Sequence, residues 1–163
     1  MPFNPQLLQK AEHLLEVCRS RQLTLATAES CTGGLVAALL TEIPGSSDVF
    51  LGGAATYSNK AKHEVLRITN ADKSDFEAVS ERTASEMAQG ACTLFGADAS
   101  VALTGIAGPG GGSDEKPVGT VHIATCFHGT TINHPCFFKG DRHAIRMAAT
   151  ETALDVLLEA IGE

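Results

Sequence analysis

Several things are missing from this chain, and each absence removes a class of function. The longest apolar stretch, Leu35 to Leu40, is far too short to cross a bilayer, and the opening Met1 to Lys10 lacks the basic-then-apolar order of an export signal. A soluble, cytoplasmic protein is expected. Twelve Lys and Arg stand against nineteen Asp and Glu, a formal charge of −7, and the basic residues are scattered singly. No stripe can track a phosphate backbone, so nucleic-acid binding is not expected. The five cysteines, Cys18, Cys31, Cys92, Cys126 and Cys136, are odd in number and contain no C-x-x-C pair, which speaks against a disulfide framework or a zinc knuckle. The six histidines form no H-x-x-x-H pair, and neither a metal nor a cofactor is expected.

What is present fits one globular domain over residues 1–163: 44% apolar and 19% charged residues, no internal repeat, and no linker rich enough in Pro, Gly or Ser to divide it. Asn4-Pro5 is a helix start, followed by Leu7, Leu8, Ala11, Leu14, Leu15 and Cys18 on one face. Leu23 to Ala28 reads as a buried strand, and Ser30-Cys31-Thr32-Gly33-Gly34 leads from it into an apolar helix ending near Pro44-Gly45. A second strand runs from Val49 to Tyr57, with Asn59 positioned to cap a helix bearing Ala61, Val65, Leu66 and Ile68. Ser80 caps a third helix with Ala84, Met87, Ala88, Ala91 and Phe95 on one stripe, before a strand over Ala99 to Leu103.

Three strand and helix units in series predict an α/β fold, a three-layer α/β/α sandwich around a mostly parallel, mixed sheet. Gly119 to Phe127 and Thr130 to Phe138, joined around Gly129, predict an antiparallel pair at the sheet edge. The last helix, from about Asp141 to Ile161, carries two apolar stripes, Ile145, Ala149, Thr152, Val156 and Ala160, and Met147, Leu154, Leu158 and Ile161. A surface helix needs one stripe; the second is either more core or a subunit contact, and a homo-oligomer, dimer or trimer, is expected.

Candidate chemistry gathers where strands end. Ser30 lies where a buried strand gives way to a helix, the edge of open α/β sheets where ligands collect. The amides from Cys31 through Thr32 and Gly33 to Gly34 are candidates for an oxyanion or anion site, the glycines permitting close approach by a ligand. An ordinary capping serine is the alternative for Ser30, and the pattern is not G-x-S-x-G. Tyr57, the only tyrosine, ends the second strand, with Lys60 and Lys62 in the next helical turn on the same edge. A lysine base needs its ammonium form destabilised, which a helix N-terminus and burial both favour. Thr104 and Gly105 lead into a loop with Gly108, Gly110 and Gly111, which matches neither Walker A nor G-x-G-x-x-G, since Ser113 stands at the third glycine position. Asp141 is a cap, and Arg142 is either an anion clamp or a surface charge. Cys31, at a helix start, is a rival nucleophile.

Ala28-Glu29-Ser30-Cys31-Thr32-Gly33-Gly34, Thr56-Tyr57-Ser58-Asn59-Lys60-Ala61-Lys62, Thr104-Gly105-Ile106-Ala107-Gly108-Pro109 and Lys116-Pro117-Val118-Gly119-Thr120-Val121 appear in order across the chain. Together they strongly resemble the CinA C-terminal domain family. The resemblance implies an amidohydrolase of the serine/lysine type that converts nicotinamide mononucleotide to nicotinic acid mononucleotide and ammonia, in pyridine-nucleotide salvage. It puts the nucleophile on Ser30 and the base on Lys62 rather than Lys60. Tyr57 and Thr104 are then candidates to orient the lysine or relay a proton, the Cys31 to Gly34 amides to receive the oxyanion, and Arg142 with Gly105, Gly108, Gly110 and Gly111 to hold the substrate. Longer relatives carry an additional N-terminal domain resembling molybdopterin-binding proteins, and a stand-alone form is expected here. Three rivals stand beside this expectation: a nucleotide-binding domain without chemistry that serves competence or DNA-damage proteins, a cysteine hydrolase using Cys31, and an oligomerisation module.

Overall fold

The computed structural model describes residues 3–69 and 78–163. Its elements are α1 (Pro5–Ser20), β1 (Leu25–Glu29), α2 (Leu35–Thr41), a 3-10 turn (Ser46–Asp48), β2 (Phe50–Ala55), α3 (Asn59–Leu66), α4 (Glu81–Phe95), β3 (Ala99–Gly105), β4 (Thr120–Phe127), β5 (Thr130–Phe137) and α5 (Arg142–Ala160). The five strands form one sheet in the order β2-β1-β3-β4-β5. β1 runs parallel to both β2 and β3, while β4 is antiparallel to β3 and β5 to β4. The mixed sheet with an antiparallel edge pair is the arrangement the periodicity predicts.

The two faces of the sheet differ in side-chain size, and that difference sets the layers. Leu25, Val101, Leu103, Val121 and Ile123 project into one core with α1, α2 and α5. Ala26, Ala28, Ala102, Ala124 and Cys126 face the other way, against α3 and α4. Small residues on that side let α4 approach closely: Ser100 donates its hydroxyl to the Ala88 carbonyl at 2.6 Å, and a Cβ on Gly90 would meet the Leu66 carbonyl oxygen at 2.5 Å.

The two stripes of α5 are both core. Ile145, Ala149 and Val156 are buried, and so are Leu154 and Ile161, with Met147 and Leu158 packed against the same cluster. The helix lies in a trough between the sheet, α1 and α2, so its second stripe is covered within the chain. No helix among the described residues is long and apolar enough to cross a membrane.

Caps follow expectation at Asn4, Ser80 and Asp141, each of which accepts a backbone N–H three residues on. One expectation needs correction and one alternative falls away. Ser58, not Asn59, caps α3, accepting from the Ala61 amide at 3.0 Å, and Asn59 is the first helical residue. Ser30 does not cap α2 either; four residues separate them, and the helix begins after Gly34, which has no side-chain cap.

Candidate active site

The C-terminal ends of β1, β2 and β3 lie side by side, and each strand hands its chain to one wall of a cavity of ≈ 170 Å³. β1 delivers Ser30 and Cys31, the turn after β2 delivers Tyr57, Asn59 and Lys62, and β3 delivers Thr104 and Gly105, while Arg142 reaches in from the start of α5. The strand register locks this edge: the Ser30 amide donates to the Leu103 carbonyl and the Thr56 amide to the Glu29 carbonyl, both at 2.9 Å.

At its centre Lys62 Nζ donates to Ser30 Oγ at 2.9 Å. Lys62 is 2% exposed and Ser30 8% exposed, so the contact is shielded from bulk water. The same Nζ donates to the Tyr57 carbonyl at 3.1 Å, which aims the amine across the first turn of α3. Two positions apart on α3, the two lysines point different ways: Lys62 points inward, whereas Lys60 stands in solvent beside Glu64.

Other expected residues fall into less direct places. Tyr57 meets the lysine through its carbonyl; its ring is 64% exposed, and its phenol oxygen accepts from Arg142 at 3.0 Å. Thr104 lines the cavity but gives its proton to the Ala78 carbonyl at 2.6 Å, which argues against a relay to the lysine. Arg142 also donates to the Gly108 carbonyl at 2.7 Å, and so is a bridge between the tyrosine and the glycine-rich loop. Gly105 lines the cavity and has no room for a side chain, since a Cβ there would meet Val121 Cγ2 at 2.7 Å and the Thr120 carbonyl oxygen at 2.8 Å. Gly108 lies just outside, beneath Val118, and Gly110 and Gly111 lie farther along the exposed loop and do not line the cavity.

The turn after β1 is built differently from the expectation of a bare helix start. Gly33 and Gly34 have φ of +62° and +104°, the left-handed region, so glycine serves the backbone there. The Gly33 amide donates to the Ser30 carbonyl at 3.0 Å. Glu29, 1% exposed, curls back under the turn and accepts from Thr32 Oγ1 (2.6 Å) and from the amides of Gly34 (3.0 Å), Val36 (3.1 Å) and Ala37 (2.9 Å). The start of α2 is thereby saturated from within. The Cys31 and Thr32 amides are not engaged by these bonds, but of the expected substrate-binding stretch Cys31 alone lines the cavity; Thr32 is fully buried, and Gly33 and Gly34 lie outside the lining.

Arg146 holds the turn from the opposite side, donating from Nε to the Cys31 carbonyl at 3.1 Å and from Nη2 to the Thr32 carbonyl at 2.9 Å. Neither Glu29 nor Arg146 was singled out by sequence reasoning. The available signals were a carboxylate ending an otherwise apolar strand and a second arginine one turn beyond Arg142. Cys31 is a poor rival to Ser30, because burial pushes its thiol up to about 11 and the lysine is directed at the serine.

The profile of the CinA C-terminal domain family matches residues 7–161. A competence-damage inducible protein of Clostridium beijerinckii is 51% identical over 137 residues, 84% of this chain and 33% of that protein. A CinA-like protein of Fervidobacterium nodosum is 45% identical over 146 residues, 90% of this chain and 36% of that one. The chain thus spans about a third of the length of these curated relatives. Among solved structures, the competence/damage inducible protein CihA of Agrobacterium tumefaciens superposes with a TM-score of 0.92 at 43% identity, covering 98% of both chains. A CinA superfamily protein of Escherichia coli gives 0.90 at 33% identity, covering 98% of this chain and 94% of the other. With a matching profile over nearly its whole length and close relatives in both sequence and structure, this chain belongs to the CinA C-terminal domain family.

Proposed function

We propose that the chain is an amidohydrolase that converts nicotinamide mononucleotide to nicotinic acid mononucleotide and ammonia, with Ser30 as nucleophile and Lys62 as general base. The observation that carries this reading is the shielded Lys62 Nζ to Ser30 Oγ contact of 2.9 Å. A serine hydroxyl is a weak nucleophile until a base within hydrogen-bond reach takes its proton. Desolvation and the positive end of α3 both act against the ammonium form of Lys62, which is the direction that role requires.

In the proposed reaction Lys62 takes the Ser30 proton as Oγ bonds to the carboxamide carbon. The oxygen of that carbon becomes the oxyanion, and the amide of Cys31, which lines the cavity beside Ser30, is its donor. The C–N bond then breaks as Lys62 returns the proton to the departing nitrogen, giving ammonia and an acyl-serine. Water attacks the ester with Lys62 again as base, and Ser30 recovers its proton.

Size and charge support a nucleotide whose amide end alone enters the site. A cavity of ≈ 170 Å³ suits an aromatic carboxamide, leaving ribose and phosphate at the mouth beside Tyr57 and Arg142. Lys62 and Arg142 are the charged residues among the described lining, and no carboxylate joins them, which favours an anionic group on the substrate. A neutral Lys62 serves twice over, as base and by not repelling a cationic pyridinium ring.

The test is release of ammonia and nicotinic acid mononucleotide from nicotinamide mononucleotide, without added metal, by the wild type beside Ser30→Ala and Lys62→Met. Loss of at least about 10⁴-fold in kcat in both variants is expected. No turnover by the wild type would refute the reading in favour of a binding domain, and full activity in Ser30→Ala would remove serine from the mechanism.

A further inference from the structure

Resting on the amidase reading above, we infer that Arg146 is a positioning residue for the oxyanion site, aiming and polarising the Cys31 amide through the hydrogen-bonded carbonyls of the turn. A trans peptide points its N–H opposite its C=O. The Cys31 carbonyl belongs to the peptide whose N–H is that of Thr32, so the bond from Arg146 Nε fixes that N–H on the face away from the guanidinium. The next carbonyl, of Thr32, is held by Nη2, and the N–H of the same peptide, on Gly33, closes the turn onto the Ser30 carbonyl.

The Ser30 carbonyl shares its peptide with the Cys31 N–H, so that amide is held at the end of a chain of bonds that starts at Arg146, while the Cys31 carbonyl is held by Arg146 directly. Charge-assisted donation to a carbonyl also withdraws electron density along the peptide and makes its N–H a stronger donor. Glu29 does the complementary work, occupying the amides beyond the turn so that they do not compete for the oxyanion. The close passage of Nη2, 3.5 Å from where a Gly33 Cβ would stand, is part of the same arrangement.

Arg146 is absent from the cavity lining, so it acts through backbone and not on substrate. Its loss should therefore lower kcat and leave KM nearly alone. For Arg146→Ala a fall of about 100- to 300-fold in kcat is expected, at the low end of the range seen when an oxyanion donor itself is lost, with KM changed less than about threefold. Arg146→Lys, which can supply one donor, should fall between, and millimolar guanidinium should restore part of the Arg146→Ala rate.

A second readout separates this inference from the choice of substrate: labelling of Ser30 by an alkyl fluorophosphonate, which loses fluoride to the serine oxygen and leaves a tetrahedral phosphorus whose polar phosphoryl oxygen, charged most strongly in the transition state, takes the same place. Slower labelling in Arg146→Ala, rescued by guanidinium, supports the inference even if nicotinamide mononucleotide is not hydrolysed. Labelling and kcat equal to wild type in folded Arg146→Ala and Arg146→Lys would overturn it. So would a loss that tracks a lowered Tm in both variants and resists guanidinium. Failure of the wild type to be labelled at all would overturn both the inference and the serine reading.

Discussion

Replacing Glu29 with glutamine tests the construction of the turn without reference to any substrate. The carboxylate accepts four hydrogen bonds, three at Oε2 and one at Oε1. Glutamine offers one acceptor oxygen and one NH₂ group. In its better orientation the amide oxygen takes the Oε2 position and keeps three neutral bonds, while the NH₂ faces the Ala37 amide, donor against donor. The other orientation sets the NH₂ against three donors. Bonds to a charged acceptor contribute about 1.5–3 kcal/mol each against about 1 kcal/mol for neutral ones, and an orphaned buried donor costs about 1–3 kcal/mol. Allowing for relaxation, Glu29→Gln should destabilise the fold by about 2–4 kcal/mol. For a domain of this size that corresponds to a Tm lower by about 10 °C. Urea unfolding followed by far-UV circular dichroism, with calorimetry beside it, measures both. A midpoint within the error of wild type, at unchanged slope, would refute the argument that the carboxylate is the organising acceptor of this turn.

Other outcomes follow from the same geometry. Arg142→Ala should raise KM for nicotinamide mononucleotide by about tenfold or more with a smaller change in kcat, and should erase any preference over the phosphate-free riboside, checked by steady-state kinetics on both. Cys31→Ala should stay active, and native protein should resist alkylation at Cys31: with the thiol pushed up to about 11, only about one in several thousand is ionised near pH 7.5. Asp98 accepts from the Thr24 amide and hydroxyl, both at 2.8 Å, and these bonds hold its carboxyl below the ordinary value. Its stabilisation is present above the ordinary aspartate range and lost as pH falls through the depressed value. The gap of about 1–2 kcal/mol between wild type and Asp98→Asn at pH 7 should therefore close in acid, as urea unfolding across pH would show. The activity of the wild type should fall towards acid pH as Lys62 becomes protonated, which a pH profile of kcat/KM reads directly.

β1, β3 and β4 were legible because burial on both sides writes apolar runs bounded by turn residues; β2 and β5 are only half-buried, yet all five strands lie within about two residues of expectation. Their antiparallel edge was equally plain, since a short turn at Gly129 admits no crossover. The cap of α3 shifted by one because Ser58 and Asn59 are both good caps, and the choice rests on which residue leaves the helical φ/ψ region. What the sequence concealed at the site is long-range. Ser30 resembles a cap until its neighbour Glu29 is seen to cap the helix in its place, and Arg146 looks like any helix-surface cation until α5 is docked beside the turn. Residue spacing also did not sort the glycines of the loop: Gly105 lines the cavity with β4 pressed against it, Gly108 sits beneath Val118, and Gly110 and Gly111 lie outside the lining.

The clamp from Arg146 joins residues 115 positions apart, and Arg142 closes its own bridge to Tyr57 across 85. A ribosome delivers Ser30 and Lys62 long before either arginine. During synthesis the serine and lysine can therefore meet only in an unbraced form, and the reactive centre acquires its restraints at the moment α5 settles into its trough. The bracing is thus tied to completion of the core, so a partly folded copy carries Ser30 and Lys62 but not the frame that gives them direction.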